Sequence, residues 1–134
     1  GRLKPGRFSA RQVQDRLRLA VRDLATARKL KHEDFDWAFS IAYNAMLQAG
    51  RALMFQMGFR PAAEGQHVTV IRFLELVMGQ DGTPFLALMD RMRRKRNIST
   101  YDMVGTISVS EVSQAIENAE AFVSLIERQI NLAR

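Results

Sequence analysis

The chain has 134 residues, 47% apolar and 25% charged, with a net charge of +6 and no cysteine. That length fits one domain able to bury about two thirds of the surface its unfolded chain exposes. Without cysteine there are no disulfides and no thiolate metal sites, and no apolar run approaches the roughly 20 residues of a membrane span. A cytoplasmic, non-membrane protein is expected.

The charge is unevenly spread. Residues 1–31 carry a net +8, residues 32–90 −4, residues 91–107 +4 and residues 108–134 −2. Two basic blocks on a small protein favour polyanions such as RNA or nucleotides, or an acidic protein partner. They are equally compatible with a solvated basic face.

Residues 1–8 read as a basic extension, with Gly1 compatible with a cloning remnant, and residues 9–134 as a single domain. Ser9 is a good N-cap for a first helix to about Lys31, with Val13, Leu17, Ala20, Leu24 and Ala27 inward. A second helix, about Glu33 to Met57, is apolar nearly all round and should be central, ending at Gly58. Ala38, Ala42, Ala45, Ala49 and Ala52 give it a strip of small residues that admits a close neighbour, while Phe39, Tyr43, Met46, Leu53 and Met57 supply bulk. The third helix should run from Gln66 to Met78 on Val70, Phe73, Leu74 and Val77. After a turn at Gly79–Gly82, Thr83-Pro84 should open a fourth helix, Thr83 as N-cap. Ser108 and Glu111 have capping-box spacing, and Val109, Val112, Ile116, Ala119, Val123, Ile126 and Ile130 alternate steps of three and four behind them. The expected fold is an all-α, five-helix up-and-down bundle with almost no strand, and its apolar excess leaves room for a homodimer contact.

The fourth helix carries the most distinctive stretch. Phe85, Leu88, Met89 and Met92 form an apolar stripe whose next position is Arg96, within the run Arg91-Met92-Arg93-Arg94-Lys95-Arg96-Asn97. A guanidinium carried inward needs a partner, because an unpaired buried charge costs several kcal/mol or more. Arg96 is therefore either tied to a carboxylate or to helix carbonyls, or poised to receive an anion. On the second helix Ser40, Asn44, Gln48 and Arg51 form a polar stripe, either a surface edge or the lining of a cleft that faces the fourth helix.

Other chemistries find little support. There is no G-x-S-x-G turn, no phosphate-binding glycine loop and no second copy of the Glu64-x-x-His67 spacing that a di-metal bundle would require. No metal and no cofactor are expected. His67 is a partly exposed polar residue or, on a functional reading, the local proton carrier.

Arg96-Asn97, followed after a short gap by the ring of Tyr101, resembles the motif of the HEPN family (higher eukaryotes and prokaryotes nucleotide-binding domains). Phe35 to Leu53 is similar to that family's alanine-rich second helix, and Gly65-Gln66-His67 and the helix from Ser110 to Ile126 also fit; the likeness spans roughly residues 9–130. The family's motif is Arg, four to six residues, then His. Many members are metal-independent ribonucleases whose Arg and His meet at a dimer cleft. Here Tyr101 stands at the histidine position. A free tyrosine, with a pKa of about 10, is a poor general base but donates readily to a phosphate oxygen.

The resemblance thus implies a nucleotide- or RNA-phosphate-binding module with Arg93, Arg96, Asn97 and Tyr101 as its binding set. Asn44, Gln48 and Arg51 are candidate cleft residues, and Arg96, Tyr101 and His67 are the candidates for any remaining catalysis. It also implies a homodimer acting beside a nucleotidyltransferase in a toxin–antitoxin or stress system. A ribonuclease with a substitute proton carrier and a helical protein-interaction module remain the alternatives.

Overall fold

A computed structural model describes residues 3–62, 66–97, 105 and 107–132. It is an all-α bundle: α1 (Ala10–Leu30), α2 (Phe35–Gln56), α3 (Gln66–Met78), α4 (Thr83–Asn97) and α5 (Val109–Leu132). A short 3-10 turn, Gly79–Asp81, joins α3 to α4, and a two-stranded antiparallel ribbon pairs β1 (Leu3–Pro5) with β2 (Phe59–Pro61). Three-residue strands carrying Pro5 and Pro61 have no readable alternation, so the ribbon leaves no signal in the sequence. Its register sets Leu3 opposite Pro61, and Gly6 N–H donates to the Gly58 carbonyl at 3.0 Å. Phe8 stacks on Phe55 with ring centroids 4.0 Å apart, so the basic N-terminal stretch is tied to the far end of α2.

The helix ends follow local chemistry. Ser9 caps α1 in a complete capping box with Gln12, and Asp34 caps α2 by accepting from the Trp37 N–H at 3.0 Å. Gly58, at φ +87°, stops α2 in the left-handed region that favours glycine. Ser108 and Glu111 close the second capping box, at 3.1 Å in both directions. The start of α4 differs by one residue from the sequence expectation. The Gly82 carbonyl accepts from the Leu86 N–H, so Gly82 holds the cap position and Thr83 lies inside the helix.

α2 is the axis of the molecule, packed most extensively against α1, then against α5, and also touching α3 and α4. Ala38, Ala42, Ala45, Ala49 and Ala52 are all fully buried, as are the core positions of Met46, Leu47 and Met54. The inward set of α1 is buried as its spacing required. On α5 the seam is buried from Val112 to Ile130, joined by Ala115 and Phe122, but Val109 is exposed because it lies in the first turn, above the packed layer. On α3, Thr69 and Ile71 are buried, whereas Val77 is only partly covered. On α4, Leu86, Met89 and Met92 make the core contact; Phe85 and Leu88 are half-buried, so the stripe is rotated slightly from the expected one.

Candidate phosphate site around His67

The antiparallel hairpin of α3 and α4 brings the first residue pair of α3, Gln66 and His67, towards the last turn of α4. There His67 meets Tyr43 from the middle of α2: Nδ1 lies 3.3 Å from the phenol oxygen, and the rings are tilted with centroids 5.6 Å apart. Tyr43 is fully buried. A buried phenol needs a polar partner, and His67 supplies it. Arg96 is half-buried and sets its guanidinium carbon 5.9 Å from the centre of the Tyr43 ring, at the outer limit of a cation–π contact. Among the described residues no carboxylate lies within ion-pair distance of Arg96. Arg51, two turns beyond Tyr43 on the same face of α2, donates to Gln66 Oε1 at 3.3 Å. Arg93 is largely covered and donates to Asp90 Oδ1 at 3.4 and 3.1 Å.

The electrostatics record this convergence. Burial, then the charges of Arg96, Arg51 and Arg93, push the His67 imidazolium down to a pKa of about 4. His67 is therefore neutral near pH 7, with one ring nitrogen able to donate and the other to accept. Burial raises the Tyr43 phenol far above its ordinary value, and Arg93, Arg96 and Arg51 only partly offset this. With Tyr43 un-ionised, its O–H can donate to a neutral His67 Nδ1 while Nε2 keeps the ring proton. Burial, followed by the nearby charge of Arg16, lowers the Arg51 pKa. Three guanidinium groups thus bear on one neutral donor–acceptor pair, and the carboxylate of Asp90, paired with Arg93, offsets only part of their charge.

The remaining sequence candidates are distributed as follows. Asn97 is exposed at the end of α4. Tyr101 lies outside the described residues, as does Glu64 of the Glu-x-x-His spacing. The polar stripe of α2 does not line a cleft towards α4. Asn44 donates to Asp23 at 2.9 Å and Gln48 accepts from Arg16 at 3.0 Å, while Ser40 is buried. Asp23 and Arg16 are seven residues apart, hence on one face of α1, and the stripe meets that face. Arg51 alone of the four turns to the His67 side. A cavity of about 320 Å³ does open between α2, α4 and α5, but Phe39 is its α2 wall. In the rest of the basic run, Arg94 pairs with Asp90 at 3.4 Å, Lys95 with Glu111 at 3.6 Å, and Arg91 is exposed.

Two members of the constellation were not singled out from the sequence. Tyr43 reads there as core bulk, though a hydroxyl in a fully apolar helix face is itself a signal that a polar partner approaches. Asp90, three and four residues before Arg93 and Arg94, has ion-pair spacing to both.

Among the described residues, no cluster of His, Asp and Glu is arranged to hold a metal ion, and no helix is long and apolar enough to cross a membrane. No curated protein sequence matches the chain. The family model described as HEPN domain matches residues 13–129, from the first buried valine of α1 almost to the end of α5. With nearly all of the bundle matched, and the all-α architecture in agreement, the chain belongs to the HEPN family.

Proposed function

We propose that this protein binds the phosphate group of a nucleotide or of RNA at the site formed by Arg96, Arg93, Arg51 and His67, with Asn97 and Tyr101 completing it. The observation that carries the reading is the convergence of three arginines on the neutral His67–Tyr43 pair without a matching set of carboxylates. Guanidinium groups recognise phosphate oxygens through charge-assisted, often bidentate hydrogen bonds, and a neutral imidazole can add one more. Family membership supports a nucleotide- or RNA-related role. In this reading the module is weakly catalytic or inactive as a nuclease, forms a homodimer, and works beside a nucleotidyltransferase in a toxin–antitoxin or stress system.

Metal-independent ribonuclease activity is the second reading, favoured by the placement of His67 within the arginine cluster. A base with a pKa of about 4 is weak, but a bound phosphate would neutralise the surrounding guanidinium charge and raise it. One experiment separates the two. Labelled RNA and inorganic pyrophosphate are titrated into wild type and Arg96→Ala, and the RNA is then incubated in chelator. Binding should weaken at least 10-fold in the variant; equal binding removes the phosphate site. Cleavage that disappears in His67→Ala supports the nuclease, and intact RNA after long incubation excludes it.

A further inference from the structure

On a different face of α4 from Arg93 and Arg96, a groove of about 320 Å³ runs between α4 and α5. The two helices are antiparallel and touch at both ends of it. Phe85 meets Phe122 with ring centroids 5.6 Å apart, and Lys95 Nζ lies 3.6 Å from Glu111 Oε2. Phe85 and Lys95 are separated by about 15 Å along α4, at 1.5 Å per residue. Between these contacts the helices stand apart over a floor of Phe39 from α2, Met92 and Ala115, none more than 5% exposed. Ala115 brings only a methyl group to the α5 side, which leaves the interval open.

The walls carry unused polar capacity. Gln114 and Asn118 line the groove one turn apart on α5, and neither side chain has a hydrogen-bond partner among the described residues. On the opposite wall Arg91 is exposed, with no carboxylate within ion-pair distance among the described residues. A carboxamide both donates and accepts, so it can pair with the N–H and C=O of a peptide backbone. Side chains at i and i+4 of a helix stand about 6 Å apart. Alternate residues of an extended chain repeat at about 6.6 Å, two steps of 3.3 Å. Gln114 and Asn118 therefore match two peptide groups on one edge of a strand-like segment lying along α5. A helix, about 10 Å across, is too wide where the walls close to 3.6 Å. A phosphate backbone is poorly served by an apolar floor with Glu111 in the wall.

We propose that the groove between α4 and α5 docks an extended segment of another protein, about five residues long, in which apolar and acidic residues alternate. Its apolar side chains reach Phe39 and Met92, its backbone pairs with Gln114 and Asn118, and the acidic residues, pointing the other way, meet Arg91 at the rim. This docking site is separate from the phosphate site and does not depend on it.

The test titrates three end-blocked peptides, Glu-Leu-Glu-Leu-Glu, Lys-Leu-Lys-Leu-Lys and Glu-Ser-Glu-Ser-Glu, into isotope-labelled protein and follows the backbone amides by NMR. Wild type should bind the acidic leucine peptide about 10-fold more tightly than either control, with the shifts centred on Met92, Ala115 and Asn118. Arg91→Glu should lose that peptide and take the lysine peptide instead, a gain that a misfolded variant does not show. Asn118→Leu should weaken the acidic leucine peptide roughly 5-fold. Equal binding of the acidic and lysine peptides by wild type, or no saturable shift at millimolar peptide, overturns the proposal. Displacement of the peptide by pyrophosphate or by a short RNA also overturns it, since the groove would then belong to an anion. So does a dimer of the free protein that Arg91→Glu dissociates, since the groove would then belong to a second copy.

Discussion

At the scale of single residues, His67 is the group whose protonation state depends most visibly on its neighbours. Burial and three arginines hold its pKa at about 4, against about 6.5 in an unfolded chain. Between those values the unfolded protein binds a proton that the native protein refuses, so stability is complete above pH 6.5 and declines as pH falls towards 4. Denaturant unfolding should show this decline, and it should be smaller in His67→Gln, which has no titrating ring; identical pH profiles would remove His67 from the account. The same ring followed by NMR should titrate near pH 4 in the free protein and higher with pyrophosphate present. Arg96 was legible at this scale, since a cation interrupted an apolar stripe. Tyr43 was not, because a phenol among methionines and leucines scans as core, and only the approach of α3 shows what its hydroxyl is for.

At the scale of elements, the α2–α3 contact positions the site. Gly50 is the one glycine within α2, and a Cβ there would come 2.8 Å from Val70 Cγ1 and 3.0 Å from Leu74 Cδ1. The missing side chain lets α3 lie close enough for His67 to reach Tyr43. Gly50→Ala should relieve helix entropy by less than about 1 kcal/mol. Overpacking against two fully buried side chains should outweigh that gain at about 1–3 kcal/mol. The expected outcome is a net loss of stability in thermal unfolding, together with weaker pyrophosphate binding as α3 is pushed away. An unchanged or raised melting temperature would contradict the close approach. The helices themselves were readable from caps and periodicity: Gln66 to Met78 for α3, Ser9 for α1, Ser108 with Glu111 for α5. The two-stranded ribbon and the partner of the α2 polar stripe were not, because both depend on segments distant in sequence.

At the scale of the whole molecule, two basic blocks act together only through the fold. The Phe8–Phe55 stack and the Arg16–Gln48 bond hold the basic first block along α2, and Arg16 bears on Arg51, which in turn bears on His67. A polyanion longer than one nucleotide should feel both blocks. RNA affinity is therefore expected to fall with salt more steeply than the affinity for a mononucleotide, since each neutralised phosphate releases counterions. Parallel slopes on a plot of log affinity against log salt would confine binding to the His67 site.

Periodicity, capping residues and composition are local properties, and they were enough to determine an all-α bundle with α2 at its centre, its helix limits to within a residue or two, and a cation misplaced on an apolar stripe. Which side chains surround that cation is a matter of contacts across dozens of residues: Tyr43 with His67, Arg51 with Gln66, Asn44 with Asp23. A helix repeats every 3.6 residues whatever it packs against. Spacing along one chain therefore says which face is buried, while the neighbour that buries it, and the electrostatic environment the two create, exist only once the helices have docked.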